Sequence, residues 1–446
     1  CFFGEAYNIS YTDIYDFASA GNKKSLKKLA IDMGIHHQEL GLPWNEPVPE
    51  DKWPMVADYC DNDVDATEAA FYYLKGDWTA REILSDLTDM TVNDTTNTLS
   101  TRFVFGRNRN PQDEFNDRDL SKPVKTMDDD MLRFLSEACP DMMGMTHGPA
   151  RSLLPYFPGY KYEAGVSTYR GEVVGEGGYV YAELGIYTNV ALLDVASMHP
   201  HSMISECLFG PHYTAVFREL VLARVYIKHE QWSKVERMLD GKLKPYVQKI
   251  KDGAMKAKDL SNALKTPINA GYGQTAASYN NPWRDPRNKD NIVAKRGALF
   301  MIDLKHAVQE RGFTVAHIKT DSIKIPNATP EIIQFVMDFG KQYGYTFEHE
   351  ATYEKMCLVN DAVYVAKHDG EWTATGTQFA VPYVFKTLFS HEPYEFDDFC
   401  ETKSVKSAIY LDMNETLAED NHNLKFIGKV GQFCPVIDGI GGGIML

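Results

Sequence analysis

Asp194-Val195-Ala196-Ser197-Met198-His199-Pro200, Lys265-Thr266-Pro267-Ile268-Asn269-Ala270-Gly271-Tyr272-Gly273 and Lys319-Thr320-Asp321-Ser322 are the stretches on which the reading of this chain turns. The apolar run Val190-Ala191-Leu192-Leu193 predicts a strand that ends at Asp194 and brings a carboxylate to a strand's edge, where a metal can be reached. Phe313-Thr314-Val315-Ala316-His317-Ile318 and Ser322-Ile323-Lys324-Ile325 predict two further strands with Lys319-Thr320-Asp321 at the turn. Such a hairpin lifts its tip carboxylate toward the strand of Asp194. Aspartate is common in turns for conformational reasons, so neither carboxylate is strong evidence alone. Their order is more telling: carboxylate, then cation and amide, then carboxylate. Two carboxylates can bridge a pair of divalent metals across an attacking and a leaving oxygen, and a lysine between them can meet a polyphosphate.

Arg224 and Lys228 are four apart in the helical run from Leu220 to Lys228 and so share one face. Lys265 and Asn269 have the same spacing on a second helix, which Tyr272-Gly273 is expected to close. Two antiparallel helices so decorated would form a cationic cradle. The competing reading is lysines solvated on exposed faces, and for His199 it is a hydrogen-bonded core histidine.

Taken together, these residues resemble motifs A, B and C of family B DNA polymerases. Ile318-Lys319-Thr320-Asp321-Ser322 is similar to the third motif in the polymerases of tailed bacteriophages and prophages. The resemblance extends over nearly the whole chain. It implies an α+β fold, with a right-hand polymerase palm on an antiparallel sheet, helical fingers, and a partial ribonuclease H-like exonuclease domain in front. The implied division is an exonuclease remnant at 1–80, a connecting region and N-terminal palm at 81–190, palm with motif A at 191–215, fingers with motif B at 216–274, palm with motif C at 275–400, and C-terminal palm or the start of a thumb at 401–446.

The implied activity is template-directed deoxynucleotidyl transfer to a primer 3′-hydroxyl. Asp194, Asp321 and the Val195 carbonyl would hold two magnesium ions, with manganese as a substitute, since these cations favour oxygen ligands. Arg224, Lys228, Lys265, Asn269 and Ser197 would bind the nucleotide, and Lys265 would also neutralise or protonate the leaving group. His199 would be the steric gate against a 2′-hydroxyl, and Tyr272 would pack beside the nascent pair. The implied partners are primer-template DNA, deoxynucleoside triphosphates and replication accessory proteins, in a host cytoplasm.

The chain departs from the family at four points. His199 stands for the usual tyrosine, and Lys319 for the first aspartate of Asp-Thr-Asp. Ala362 takes the lysine's place in Lys-x-Tyr, at Ala362-Val363-Tyr364. In Gly175-Glu176-Gly177-Gly178-Tyr179-Val180, Gly175 replaces the tyrosine of Tyr-x-Gly-Gly. A dinucleotide-binding loop is the competing reading of that glycine run, but no apolar strand is expected before it and no helix after it.

Toward the start, Ser25 to Ala30 carries helical spacing, and a second helix through Thr67 and Phe71 includes Tyr59-Cys60-Asp61-Asn62-Asp63. There Tyr59 and Asp63 resemble the third motif of a 3′–5′ proofreading exonuclease. The competing reading is a solvated helix start, with Asp61 and Asp63 near the positive end of the helix dipole. No Asp-x-Glu first motif is present in residues 1–80 and Asp13 and Asp16 do not match the second, so this domain as given is not expected to cleave DNA.

The formal net charge of -16 appears wrong for a DNA-binding chain. Phosphate affinity depends on local surfaces, however, and between Arg218 and Lys265 twelve basic residues face six acidic ones. The seven cysteines include no Cys-x-x-Cys pair, which argues against a zinc site or disulfide framework and fits a reducing cytosol. No run approaches a membrane span. Cys1 in place of Met, and an abrupt close at Gly441-Gly442-Gly443-Ile444-Met445-Leu446, are expected of a piece truncated at both ends. The alternative readings are an inactive fragment that retains its grip on nucleic acid, and a metal-dependent 3′–5′ exonuclease.

Overall fold

The computed structural model describes residues 13–18, 23–35, 40–42, 46–116, 119–121, 157–288, 290–376, 382–414, 423–437 and 441–445. The segment 1–12, on which the reading of an abrupt start rests, lies outside the described residues, as do Leu446 and residues 122–156 of the expected connecting region. The chain forms two compact units, one of Ala80–Thr375 and one of Cys1–Thr79 with Gly376–Leu446.

The larger unit is built on a seven-stranded sheet. Its strands are β1 (Val180–Ala182), β2 (Gly185–Val195), β3 (His317–Lys319), β4 (Ser322–Pro326), β5 (Phe347–Asn360), β6 (Val363–His368) and β7 (Glu371–Thr375). The order is β7-β6-β5-β2-β4-β3-β1 and every pairing is antiparallel. Ladder bonds on both sides of β2 make it longer than the apolar run alone predicts. Asp194 therefore lies inside the strand, opposite Ser322 of β4 and Glu348 of β5.

Side chains alternate across a strand, and here the two faces differ. Ala191, Leu193, Val195, Ile318, Ile323 and Ile325 face a helical layer. They share one buried cluster with Leu299, Phe300 and Leu304 of α5 (Ile292–Gln309) and Val336 of α6 (Pro330–Gln342). The opposite face holds a smaller cluster around Val190, Tyr353, Met356 and Leu358, and it is the face of Asp194 and Lys324.

A second large core forms among α1 (Thr96–Phe105), α3 (Gly210–Lys228) and α4 (Ala257–Ala276), through Phe105, Leu220, Ala223, Leu260, Leu264 and Trp283. Gly271 of α4 is required there: a Cβ at this position would stand 2.9 Å from the Trp283 ring. Helix α4 runs on past the expected closure at Tyr272-Gly273 and ends at Ala276. Its last turn is secured by buried Gln274, whose amide donates to Tyr279 Oη at 2.9 Å.

In the smaller unit, helices Leu26–Asp32 and Trp53–Tyr73 pack around Phe17, Leu29, Ala70 and Leu74. A three-stranded antiparallel sheet joins Glu401–Asp412, Leu424–Ile437 and Gly441–Met445. Because the second helix begins at Trp53, Asp61 and Asp63 lie two turns or more inside it, which removes the dipole explanation for these carboxylates. Among the described residues, no helix is long and apolar enough to cross a membrane.

Candidate active site

The predicted hairpin forms, with a shorter first arm and a second arm that runs on to Pro326. Its first strand spans His317–Lys319 only, so Lys319 belongs to the ladder and the turn is Thr320-Asp321. Thr320 adopts φ 57°, a left-handed conformation that costs a β-branched residue energy. The tip is secured from both sides. The Thr320 N–H donates to the Tyr179 carbonyl at 2.9 Å, and the Asp321 carbonyl accepts from the Val195 N–H at 2.9 Å. Gly178, at φ 138°, leaves room for the Thr320 side chain; a Cβ there would meet it at 3.1 Å. The glycine run is thus a turn between two strands, followed by β1 rather than a helix, and the dinucleotide reading falls.

This backbone arrangement brings Asp194 and Asp321 together. The Asp194 carboxyl is pushed up to about 7, first by burial, then by the negative charges of Asp321, Glu350 and Glu348, with Lys324 opposing. Burial also raises Asp321. Glu348 and Glu350, on β5, are neighbours the linear sequence does not reveal. Among the described residues, no three His, Cys, Asp or Glu side chains close on one point. Two hard carboxylates suit a divalent cation that takes its remaining oxygens from backbone, water or substrate.

Ser197 follows β2 in a left-handed conformation, exposed, and starts α2 (Met198–Ser205). The helix is fixed from beneath. Ser202 Oγ lies 2.6 Å from Tyr345 Oη, and the buried Arg296 donates to Glu206 at 2.6 Å. His199 is half-buried and stacks on Tyr272 of α4, with ring centroids 3.9 Å apart and planes within 5°. Burial lowers its pKa, and its Nδ1 is buried without a hydrogen-bond partner. The core-histidine reading required such a partner.

Helices α3 and α4 share a core and carry the four expected cradle residues. Lys228, Lys265 and Asn269 are exposed. Arg224 is half-buried, its Nε is without a partner, and burial lowers its pKa. In the smaller unit, Tyr59 and Asp63 are both engaged by Lys27, whose Nζ lies 3.3 Å from the phenol, 3.1 Å from the carboxylate and 4.4 Å from the ring centroid.

Lys324 escaped the sequence reading. An Ile-Lys-Ile strand predicts a solvated lysine, yet Lys324 is 2% exposed and sits on the face of Asp194, beside His317.

No protein-family model matches the chain, and no curated protein does. Among solved structures, the chain is similar to the family B DNA polymerase from the hyperthermophilic archaeon Pyrobaculum calidifontis, with a TM-score of 0.39 and 15% identity over 94% of this chain and 57% of that one. It therefore spans little more than half the length of that polymerase, and a TM-score of this size does not establish a shared fold.

Proposed function

We propose that this chain is the nucleotidyl-transfer part of a template-directed DNA polymerase of the family B, tailed-phage type. The observation that carries the reading is the placement of Asp194 on β2 and of Asp321 in the turn that leads into the neighbouring antiparallel strand β4, tied through the Val195 to Asp321 backbone bond, with charges close enough to raise the Asp194 pKa. In this reading the sheet is the palm, and α3 with α4 forms the fingers.

Asp194, Asp321 and the Val195 carbonyl would hold divalent magnesium or manganese. What such a cation supplies when bound there is charge at the attacking and leaving oxygens. Lys265, Arg224 and Lys228 offset the charge of the triphosphate, and Lys265 can deliver a proton to the departing pyrophosphate. Asn269 and Ser197 hydrogen-bond the nucleotide. His199, backed by Tyr272, closes the space beside the sugar.

The proposal does not extend to DNA cleavage, because the Lys27 ammonium already stands against Tyr59 and Asp63, where a metal would be needed.

Primer extension tests the reading. Asp194→Asn and Asp321→Asn should each abolish extension and leave primer-template binding largely intact, since phosphate contacts elsewhere carry DNA affinity. Extension by either variant at the wild-type rate would remove these carboxylates from the active site.

A further inference from the structure

The immediate neighbours of the buried Lys324 ammonium are neutral. Its Nζ lies 3.2 Å from His317 Nδ1, 3.4 Å from Ser322 Oγ and 5.0 Å from the centroid of the Tyr364 ring. His317 Nε2 lies 3.0 Å from the Asp361 carbonyl, which can only accept. The ring proton therefore resides on Nε2, and Nδ1 offers its lone pair to Lys324. A charged imidazole would have no such lone pair, and burial together with the adjacent ammonium pushes His317 down to about 4.

A buried cation in a neutral cage needs compensation from farther away. It comes from Asp194, Asp321 and Glu350, while Lys319 opposes it. Lys324, opposite Leu192 on the strand beside Asp194 and on the same face, thus lies within the field of the two carboxylates but is hydrogen-bonded to other groups.

We propose that Lys324 is a fixed internal cation that holds down the affinity of the nucleotide-free Asp194–Asp321 site for divalent ions. This rests on the reading of those two carboxylates as metal ligands. At equal distance an ion of charge two is repelled by an ammonium twice as strongly as a proton is. Loss of the ammonium therefore strengthens ion binding more than it strengthens carboxylate protonation. The negative oxygens of a triphosphate reverse the balance, so the ion arrives with the nucleotide instead of residing on the protein.

The test is manganese binding to the whole chain, without DNA or nucleotide, read from the paramagnetic resonance of free Mn2+ at about pH 7, where Lys324, lowered to about 8, is mostly charged. Lys324→Met removes the charge at similar volume and should tighten manganese binding by about tenfold or more. Lys324→Arg keeps the charge and should bind as wild type. If the methionine variant does not fold, Lys324→Gln, whose amide can donate to His317, should show the same tightening. Unchanged or weaker binding in a folded uncharged variant overturns the proposal, as does equal tightening in the arginine variant. Asp194→Asn and Asp321→Asn separate the two levels. If they bind manganese as wild type, the metal-ligand reading itself fails; if they lose binding while Lys324→Met behaves as wild type, only the role of Lys324 fails.

Discussion

The imidazole of His199 lies flat against the phenol ring of Tyr272, centroids 3.9 Å apart, which ties the helix after the Asp194 strand to the helix carrying Lys265. Stacking of this kind fixes an aromatic plane at little entropic cost. His199→Gly should open the space a ribose 2′-hydroxyl needs and leave both carboxylates in place. The ratio of ribonucleotide to deoxynucleotide incorporation should then rise by about tenfold or more, as measured by competition in primer extension. Tyr272→Leu should shift the ratio in the same direction by less. An unchanged ratio with normal extension would return His199 to a purely structural role.

Asp194 makes stability depend on pH with a defined sign. An aspartate in the unfolded chain ionises near pH 4, whereas in the folded chain this carboxyl keeps its proton up to about 7. The folded state then binds more protons across that window, so its stability falls as pH rises through it. In EDTA, the melting temperature of the wild type should drop relative to Asp194→Asn between about pH 4 and pH 7. Manganese together with a deoxynucleoside triphosphate should restore only the wild type. Parallel melting curves over the whole range would contradict the burial of this carboxyl.

In the proposed function, Lys265 and Arg224 meet the triphosphate and not the duplex. Lys265→Ala should raise the KM for deoxynucleotides and change primer-template affinity little. Arg224→Ala should behave similarly, and its partnerless, half-buried Nε makes it the more sensitive position. Loss of duplex binding with normal nucleotide kinetics would reverse the assignment.

The two glycines around Tyr272 should respond oppositely. A Cβ at Gly271 meets Trp283 at 2.9 Å, and Gly271→Ala should cost about 1–3 kcal/mol in urea unfolding. Gly273 is exposed, with nothing within 4 Å of a built Cβ. Gly273→Ala should therefore leave stability unchanged or raise it by up to about 1 kcal/mol. If Gly273→Ala also slows extension, the glycine is there for substrate and not for the fold.

What was legible in the sequence is what depends on spacing along the chain. The apolar run before Asp194, the four-residue spacing in α3 and α4, and the hairpin around Thr320-Asp321 are local signals, and the structure shows each element. The ends were less legible because partners set them: β2 lengthens where β4 and β5 bond it, and α4 continues through the anchoring of Gln274. Lys324 went unnoticed for a related reason. Its burial depends on His317 and Tyr364, one a strand partner and the other from a later strand, and alternation fixes a face without saying what covers it. The engagement of Tyr59 and Asp63 by Lys27 is another contact between distant residues that no local pattern encodes.

The two-residue turn at Thr320-Asp321, bonded on one flank to Tyr179 and on the other to Val195, leaves this hairpin no slack. Strand alternation has a period of two, so one residue gained or lost in the turn would rotate every following position of β4 to the other face. Lys324 would be driven into the helical layer and Ile323 turned out beside Asp194. A substitution at Thr320 changes one side chain, but a change of length rewrites the whole face.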